Sequence, residues 1–296
     1  MNKLFIIFFY SFLIFFCKSN ENWLVNNLVQ KENYIVYNNF PSKFVSPRNI
    51  EVWLPKGYDN IKKLPVVYMF DGQNIFHGSR DMFNGKYNHG WQVDETLDSL
   101  FDVGKVPKIM IVGIFNTGVN RFSEYMPNKP LSKIKKMDKN KYAEKAITSN
   151  NFLKFIVEEL KPFIDKNYKT IREVSGTYLA GSSMGGLISL YAICEYPNVF
   201  GGAACLSTHW LALEGVFIDY LKKNIPSPKS HKIYYDFGTL GLDKKYEPFQ
   251  LIVDSIMIKN GYKENINWLT KKFEGEDHNE KFWRNRFHYA IEFLFK

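Results

Sequence analysis

Ser183, near the middle of the chain, has the surroundings of a nucleophile. The stretch YLAGSSMGGLISLY, residues 178–191, fits Gly-x-Ser-x-Gly in one register only, with Gly181 before this serine and Gly185 after it. A strand-to-helix turn of this kind exposes the hydroxyl at a helix start, where the dipole favours developing negative charge. No lysine follows, as a phosphate-binding loop would require. The spacing predicts that Ser183 attacks a carbonyl carbon, and a purely structural turn is the alternative.

A base and an orienting acid follow the serine in chain order. A serine nucleophile needs a histidine to take its proton and a carboxylate to orient that histidine. Asp243 lies in LGLDKKYEP after the predicted strand KIYYDFGT, and His278 lies in EGEDHNEKFW after the last predicted strand. Asp236 is the rival acid, but its place inside the strand suits a supporting hydrogen-bonding role. The expected triad is therefore Ser183, Asp243 and His278.

Two backbone amides are expected to hold the oxyanion that forms during acyl transfer. One belongs to Met184, directly after the nucleophile, and the other to Gln73, in the DGQNIF loop after the predicted strand PVVYMF. His209, in LSTHW after a predicted strand, precedes the acid in the chain, so it does not fit the order of the triad. We assign it, with the neighbouring Trp210, to the wall of the substrate pocket.

Strands and helices alternate along most of the chain. The segments NYIVYNNF and NIEVWLP predict an opening antiparallel hairpin, and the apolar runs PVVYMFDG and KIMIVGIF are typical of strands buried on both faces. Further strands are predicted at TYLAGS, FGGAACLS, KIYYDFGT and INWLTKKFEG, and helices at WQVDETLDSLF, NNFLKFIVEELKPFIDKNY, MGGLISLYAICEYP and EKFWRNRFHYAIEFLF. The alternation predicts the α/β class, with a mainly parallel sheet, helices on both faces and one domain over residues 33–296.

The composition limits the classes of function. A chain of 296 residues with 45% hydrophobic and 17% aromatic residues has material for a large core. The formal charge of +9 comes from scattered lysines, densest in residues 133–145. We interpret that stretch as a solvated insertion, with contact to an anionic substrate or a membrane surface as the alternative. No basic helix with interleaved aromatic residues is present, so nucleic acid is not an expected partner.

The first 17 residues have the layout of a secretory signal peptide. One lysine precedes an apolar run from Leu4 to Cys17, which is short for a membrane-spanning helix. Cys17 ends the run, as in lipoprotein signals, although Phe16 stands where such signals carry a small residue. We expect residues 18–32 to form a linker. The leader predicts export, to the periplasm, the cell envelope or the outside, with a lipid anchor at Cys17 as one form of it.

Five segments resemble a known family when they are taken together. YMFDGQNIF, NRFSEYMP, GSSMGGLISLY, GTLGLDKKYEPFQ and FEGEDHNEKFWRNRF resemble the esterase D and enterochelin-esterase-like group of α/β-hydrolases, from about Tyr34 to the C-terminus. The group includes feruloyl and acetyl-xylan esterases, S-formylglutathione hydrolase and mycolyltransferases. The resemblance implies an α/β-hydrolase fold and a Ser-His-Asp enzyme that needs neither a metal nor an organic cofactor. By position, Arg121, Glu124 and Tyr125 match a segment that shapes the substrate cleft, with a salt bridge and a core tyrosine as the structural alternative.

These observations together predict a carboxylic ester hydrolase that works through an acyl-enzyme. Because the leader predicts export, the expected substrate is a small-molecule or glycan ester of the siderophore or acyl-carbohydrate type. Two alternatives stay open. One is an acyltransferase of the same fold that passes the acyl group to a sugar or a lipid, and the other is a non-catalytic binding module.

Overall fold

A nine-stranded sheet forms the centre of the structure, a computed structural model that describes residues 28–31, 33–76, 79–80, 87–88, 90–133 and 147–296. Its strands run in the order β1-β2-β3-β7-β4-β8-β9-β10-β11. Their bounds are β1 Leu28–Lys31, β2 Tyr34–Phe40, β3 Arg48–Trp53, β4 Val66–Phe70, β7 Met110–Ile114, β8 Thr177–Ser182, β9 Gly202–Leu206, β10 Lys232–Gly238 and β11 Trp268–Phe273. The strands β5 (Ser79–Arg80) and β6 (Tyr87–Asn88) form a separate short hairpin.

The sheet is antiparallel at its first edge and parallel elsewhere. The pairs β1–β2, β2–β3 and β3–β7 are antiparallel. From β7 to β11 every neighbouring pair is parallel. The strands β4, β7 and β9 are buried at every residue, as their continuous apolar runs predict. The carboxyl ends of β8, β9, β10 and β11 therefore lie along one edge of the sheet, where the candidate residues follow them.

Helices cover both faces of this sheet. They are α1 Val93–Asp102, α2 Arg121–Tyr125, α3 Ser149–Lys154, α4 Lys161–Asn167, α5 Met184–Glu195, α6 Val216–Asn224, α7 Glu247–Lys259 and α8 Glu280–Phe295. One apolar core contains α1 and α8, and a second contains residues of α3 to α7. The predicted mainly parallel sheet with helices on both faces is confirmed. Within the described ranges, no helix is both long and apolar enough to cross a bilayer.

The elements differ from the sequence prediction in several places. The expected linker, residues 18–32, ends early, because Leu28–Lys31 form β1 and pair with β2. The predicted helix of residues 150–168 contains a π-helical segment, Phe155–Leu160, just before Pro162, whose ring nitrogen has no hydrogen to donate. The helices α6 and α7 were not predicted. In α7 the apolar period is obscured because Leu251, Ile252 and Ile258 are exposed.

The predicted signal peptide, residues 1–17, with Cys17, lies outside the described residues, as does most of the predicted linker.

Candidate active site

Ser183 lies at a sharp turn between β8 and α5. Its backbone has φ 56° and ψ −121°, a conformation that non-glycine residues rarely adopt. Backbone hydrogen bonds hold the turn. The Ser183 N–H donates to the carbonyl of Leu206 at 2.9 Å. The Ser183 carbonyl accepts from the N–H groups of Leu187 and His209, each at 3.1 Å. The strained backbone is thus fixed by β9, by the loop after β9 and by the first turn of α5.

The two glycines of the motif do not have equal steric roles. A Cβ atom at Gly181 would lie 2.7 Å from the carbonyl carbon of Gly185, closer than real side chains approach a backbone. A Cβ atom at Gly185 would lie 3.4 Å from Cβ of Phe70 and 3.5 Å from a carboxylate oxygen of Asp71, which are ordinary contacts. Close packing therefore requires glycine at position 181, whereas position 185 has room for a Cβ atom.

Asp243 and His278 form a direct pair at the ends of β10 and β11. The Asp243 Oδ1 atom lies 2.5 Å from Nδ1 of His278. The Asp243 side chain is fully buried, and that of His278 is 14% exposed. Burial alone would raise the pKa of Asp243, but hydrogen bonds from His278, Ser207 and Gly238 outweigh it and hold this pKa below its usual value. Asp243 is therefore an anion in direct contact with His278.

Backbone contacts join the loop that carries the acid to the loop that carries the histidine. The carbonyl of Glu276 accepts from the N–H groups of Thr239 at 3.0 Å and Leu240 at 2.9 Å. The Gly275 N–H donates to Oγ1 of Thr239 at 2.9 Å. A Cβ atom at Gly238 would lie 2.2 Å from the Glu276 carbonyl oxygen, so this close approach requires glycine. The two loops form one packed unit.

Three residues that the sequence did not single out surround the far side of Asp243. They are Ser207, Trp283 and Arg286. The Ser207 hydroxyl donates to Oδ2 of Asp243 at 2.6 Å and accepts from Nε1 of Trp283 at 2.9 Å. Arg286, fully buried, donates to the same hydroxyl and lies 3.3 Å from Oδ2 of Asp243. They belong to the loop after β9 and to α8. Trp283 and Arg286 lie in the segment FEGEDHNEKFWRNRF, but no sequence pattern indicates their contacts with Asp243.

Asp236 lies inside β10 and does not contact His278. It accepts a hydrogen bond from the Ser207 N–H at 3.1 Å and one from the Tyr234 hydroxyl at 3.1 Å. Its Oδ1 atom is 3.2 Å from Nε of Arg286. Burial raises the pKa of Asp236 to about 6, in spite of the opposing effect of Arg286. The structure thus places Asp236 in the supporting position that the sequence predicts.

Tyr246 contacts both histidines of the site, His209 and His278. Nδ1 of His209 lies 2.8 Å from the Tyr246 hydroxyl. Burial, and then the negative charge of Asp243, raise the pKa of Tyr246, and the nearby Ser183 side chain offsets only part of this effect. The ring centroids of Tyr246 and His278 are 5.7 Å apart. Burial, and then the charges of His278 and Arg121, lower the pKa of His209 to about 4, so this imidazole is neutral at physiological pH. Sequence patterns gave no signal for Tyr246.

The candidate oxyanion amides belong to two different elements, the start of α5 and the turn after β4. Met184 is the first residue of α5, where N–H groups have no partner within the helix. Gln73 lies in a 3-10 turn, Gly72–Asn74, directly after β4 and Asp71. In the part of the chain that the structure describes, neither amide donates to a backbone carbonyl. The contact distance between Gly185 and Asp71 shows that the Gln73 loop packs against the start of α5.

The predicted cleft segment supports the Gln73 loop. Nε and Nη2 of Arg121 each lie 2.7 Å from an oxygen of Asp71, and the Tyr125 hydroxyl accepts from the Asp71 N–H at 3.2 Å. Glu124 forms a two-bond ion pair with Arg48 at 2.9 and 2.6 Å. Glu124 and Tyr125 are buried, and the Arg121 side chain is 25% exposed. The salt bridge and core tyrosine are what the structure shows, so Glu124 and Tyr125 are corrected from cleft-lining to supporting residues.

Trp210 is also corrected. It is 2% exposed, and its Nε1 donates to Oε1 of Gln250 at 3.0 Å. It therefore packs in the core and does not line a pocket, whereas its neighbour His209 is partly exposed beside Ser183. In the described ranges, no group of three or more His, Cys, Asp or Glu side chains is arranged to hold a metal ion.

The fold and the site together define an α/β-hydrolase. A mainly parallel sheet carries a serine at a strained turn after β8, an acid after β10 and a histidine after β11. The chain belongs to the esterase family described as "Putative esterase", whose model matches residues 42–294. The protein is a carboxylic ester hydrolase.

Known proteins with related sequences support this placement. The chain is 25% identical to the uncharacterized protein YbbA of Bacillus subtilis over 258 residues, which is 84% of this chain and 92% of that protein. It is 26% identical to an endo-1,4-beta-xylanase/feruloyl esterase of Xylanibacter ruminicola over 261 residues, which is 83% of this chain and 29% of the other.

Solved structures show the same fold. A ferulic acid esterase superimposes with a TM-score of 0.63 at 17% identity, covering 88% of this chain and 97% of the other. The enterochelin esterase of Shigella flexneri superimposes with a TM-score of 0.61 at 18% identity, covering 86% of this chain and 56% of the other.

Proposed function

We propose that the protein is a serine esterase in which Ser183, His278 and Asp243 form the catalytic triad and the reaction passes through an acyl-enzyme. One observation carries the proposal: the 2.5 Å contact between Asp243 and His278 lies at the sheet edge where Ser183 sits on its strained turn. Acyl transfer requires a carboxylate that orients a histidine, together with a serine nucleophile, and the half-buried Ser183 lies at the same edge of the sheet as this pair.

The proposed reaction has two halves. In the first, His278 takes the Ser183 proton as the hydroxyl oxygen bonds to the ester carbonyl carbon. The resulting oxyanion is held by the backbone N–H groups of Met184 and Gln73. His278 then gives its proton to the alcohol oxygen as the bond from carbon to that oxygen breaks. In the second half, His278 removes a proton from water, the hydroxide oxygen attacks the acyl carbon, and the Ser183 oxygen leaves with the proton returned by His278.

The proposed substrate is a small-molecule or glycan ester of the siderophore or acyl-carbohydrate type. Proteins of similar fold support this choice, because one is a ferulic acid esterase and another, from Shigella flexneri, was solved in the presence of enterobactin. Arg121 is 25% exposed beside the candidate oxyanion loop, and because its Nε and Nη2 atoms bind Asp71, the contact it can offer to a substrate oxygen is through Nη1.

The purified full chain should be tested against p-nitrophenyl acetate, methyl ferulate and enterobactin. We expect kcat/KM to be highest for methyl ferulate or enterobactin, because binding energy from the aromatic part adds to transition-state stabilisation. Adding an alcohol acceptor and measuring the ratio of new ester to free acid separates a hydrolase from an acyltransferase. Highest activity on p-nitrophenyl acetate would contradict the proposed substrate class, and mostly new ester would favour the acyltransferase.

Export is proposed from the sequence alone, since residues 1–27 lie outside the described residues. The expected result is a mature protein in its native host that begins at or just after Cys17, with a diacyl or triacyl mass on Cys17 if it is lipidated. Mass spectrometry of the intact protein and of its N-terminal peptide measures this. A cytoplasmic chain that still begins with Met1 would contradict export.

A further inference from the structure

The Ser207 hydroxyl has a fixed direction. Ser207 is fully buried after β9, and its oxygen receives hydrogen bonds from Nε1 of Trp283 and from Arg286. Neither an indole N–H nor a guanidinium can accept a hydrogen bond, so both lone pairs of the hydroxyl oxygen are used by donors. The single hydroxyl proton must therefore go to the remaining partner, Oδ2 of Asp243, at 2.6 Å.

The two oxygens of Asp243 consequently have different partners. Oδ2 accepts hydrogen bonds from the Ser207 hydroxyl, from the Gly238 N–H at 2.7 Å and from the Arg286 guanidinium at 3.3 Å. Oδ1 faces Nδ1 of His278 at 2.5 Å. With its second oxygen saturated by three donors, the carboxylate cannot rotate without losing several hydrogen bonds. The first oxygen is thereby held on the imidazole.

We infer that Ser207 and Arg286 are positioning residues that saturate one oxygen of Asp243, aim the other at His278, and set the pH at which the Asp243–His278 pair takes up a proton. The inference rests on the proposed triad. Each donor on Oδ2 withdraws negative charge from the carboxylate, and a less negative carboxylate holds a proton on its partner less strongly. Because the two groups are in direct contact, the proton belongs to the pair and not to either residue.

The charges around the pair set the scale of this effect. Arg286 also faces two further carboxylates, with Nε 3.2 Å from Asp236 and Nη1 3.0 Å from Glu276. The single positive charge of Arg286 is thus shared among three carboxylates. The hydrogen bond from Ser207 therefore contributes a large part of the stabilisation of the Asp243 anion. The groups that face the pair from neighbouring elements are Asp236, Arg286, Glu276, Tyr246, Trp283, His209 and the N–H of Gly238.

The test is Ser207→Ala in the full chain. Alanine keeps the Cβ atom, so the backbone strain at φ 42° is unchanged and only the hydroxyl is removed. Two measurements should move to higher pH: the acid limb of the plot of kcat/KM against pH, and the titration of the His278 ring followed by NMR. The expected shift is about half a pH unit to one unit, which corresponds to the free energy of one hydrogen bond. His278→Gln identifies the signal among the six histidines.

Thr177→Val is the matched control. Thr177 is 1% exposed at the start of β8, at the opposite end of that strand from Ser183, and its hydroxyl donates to the Glu173 carbonyl at 3.2 Å. This variant also loses a buried hydroxyl and some thermal stability. Its kcat/KM profile against pH and its His278 titration should nevertheless coincide with those of the wild type. Arg286→Gln, if it folds, should move both profiles further in the same direction as Ser207→Ala.

The inference would be overturned if Ser207→Ala lowered the Tm but left the kcat/KM profile and the His278 titration at the wild-type pH, since Ser207 would then be a structural residue. A shift of the profile and the titration to lower pH would overturn it as well. The NMR titration needs no turnover, so this result is independent of the proposed function. If the wild type hydrolyses none of the test esters, the proposed function fails, while the titration still decides the role of Ser207.

Discussion

Ser183→Ala should abolish ester turnover while the protein remains folded. Loss of a serine nucleophile lowers kcat on the order of a millionfold in enzymes of this mechanism, because the residual rate comes only from binding and oxyanion stabilisation. Alanine keeps the Cβ atom and the same backbone, so the strained turn at φ 56° is expected to persist. The measurements are p-nitrophenyl acetate hydrolysis, covalent labelling by a fluorophosphonate, and thermal unfolding.

Ser182→Ala is the matched control, since Ser182 is the adjacent serine and is 4% exposed at the end of β8. It should retain much of the activity and all of the labelling at Ser183. Labelling that depends on Ser182 and not on Ser183 would show that the motif is centred on the wrong residue. Absence of labelling in the wild type would favour a non-catalytic binding protein.

Asp243→Asn should lower kcat about ten-thousandfold with the fold intact. The amide cannot stabilise the positive charge that His278 gains during catalysis, and it favours the wrong tautomer of the imidazole. Asp236→Asn is the comparison, because that carboxylate is equally buried but contacts Ser207, Tyr234 and Arg286 in place of His278. It should mainly lower the Tm.

Rates and thermal unfolding of the two variants, measured at the same pH, distinguish these roles. The expected pattern is a large loss of kcat with a small change in Tm for Asp243→Asn, and the opposite for Asp236→Asn. If Asp236→Asn instead loses the catalytic rate while Asp243→Asn keeps it, the acid of the triad lies within β10.

Most of the sheet could be predicted from the sequence because its strands are buried on both faces and read as continuous apolar runs. The candidate triad residues were found from a local motif at Ser183 and from the ends of two predicted strands. The helix α7 was missed for a physical reason: part of its apolar surface faces solvent, with Leu251 60% and Ile258 63% exposed, so its amphipathic period is weak.

The residues that hold Asp243 and His209 in place could not be predicted in the same way. Ser207 and Trp283 are 76 positions apart in the chain, and Arg286 and Asp243 are 43 apart. Their contacts exist only because β9, β10 and α8 meet at one end of the sheet, and a single sequence carries no signal for such pairings. The same holds for Tyr246, which reaches His209 across 37 positions. Burial also changed the interpretation of Glu124 and Tyr125, which the family resemblance placed at the cleft, and of Trp210, which was assigned to the pocket wall with its neighbour His209.

The bonding of the Glu276 carbonyl to the amides of Thr239 and Leu240 has a consequence for how such enzymes diversify. Acid and histidine lie on one backbone unit, in which main-chain hydrogen bonds join the loop after β10 to the loop after β11. Main-chain hydrogen bonds do not depend on the identity of the side chain, so substitutions at Leu240, which is 48% exposed, can accumulate without separating the acid from the histidine. Enzymes of this kind can therefore change the surface beside the site while the relative position of the two residues stays the same.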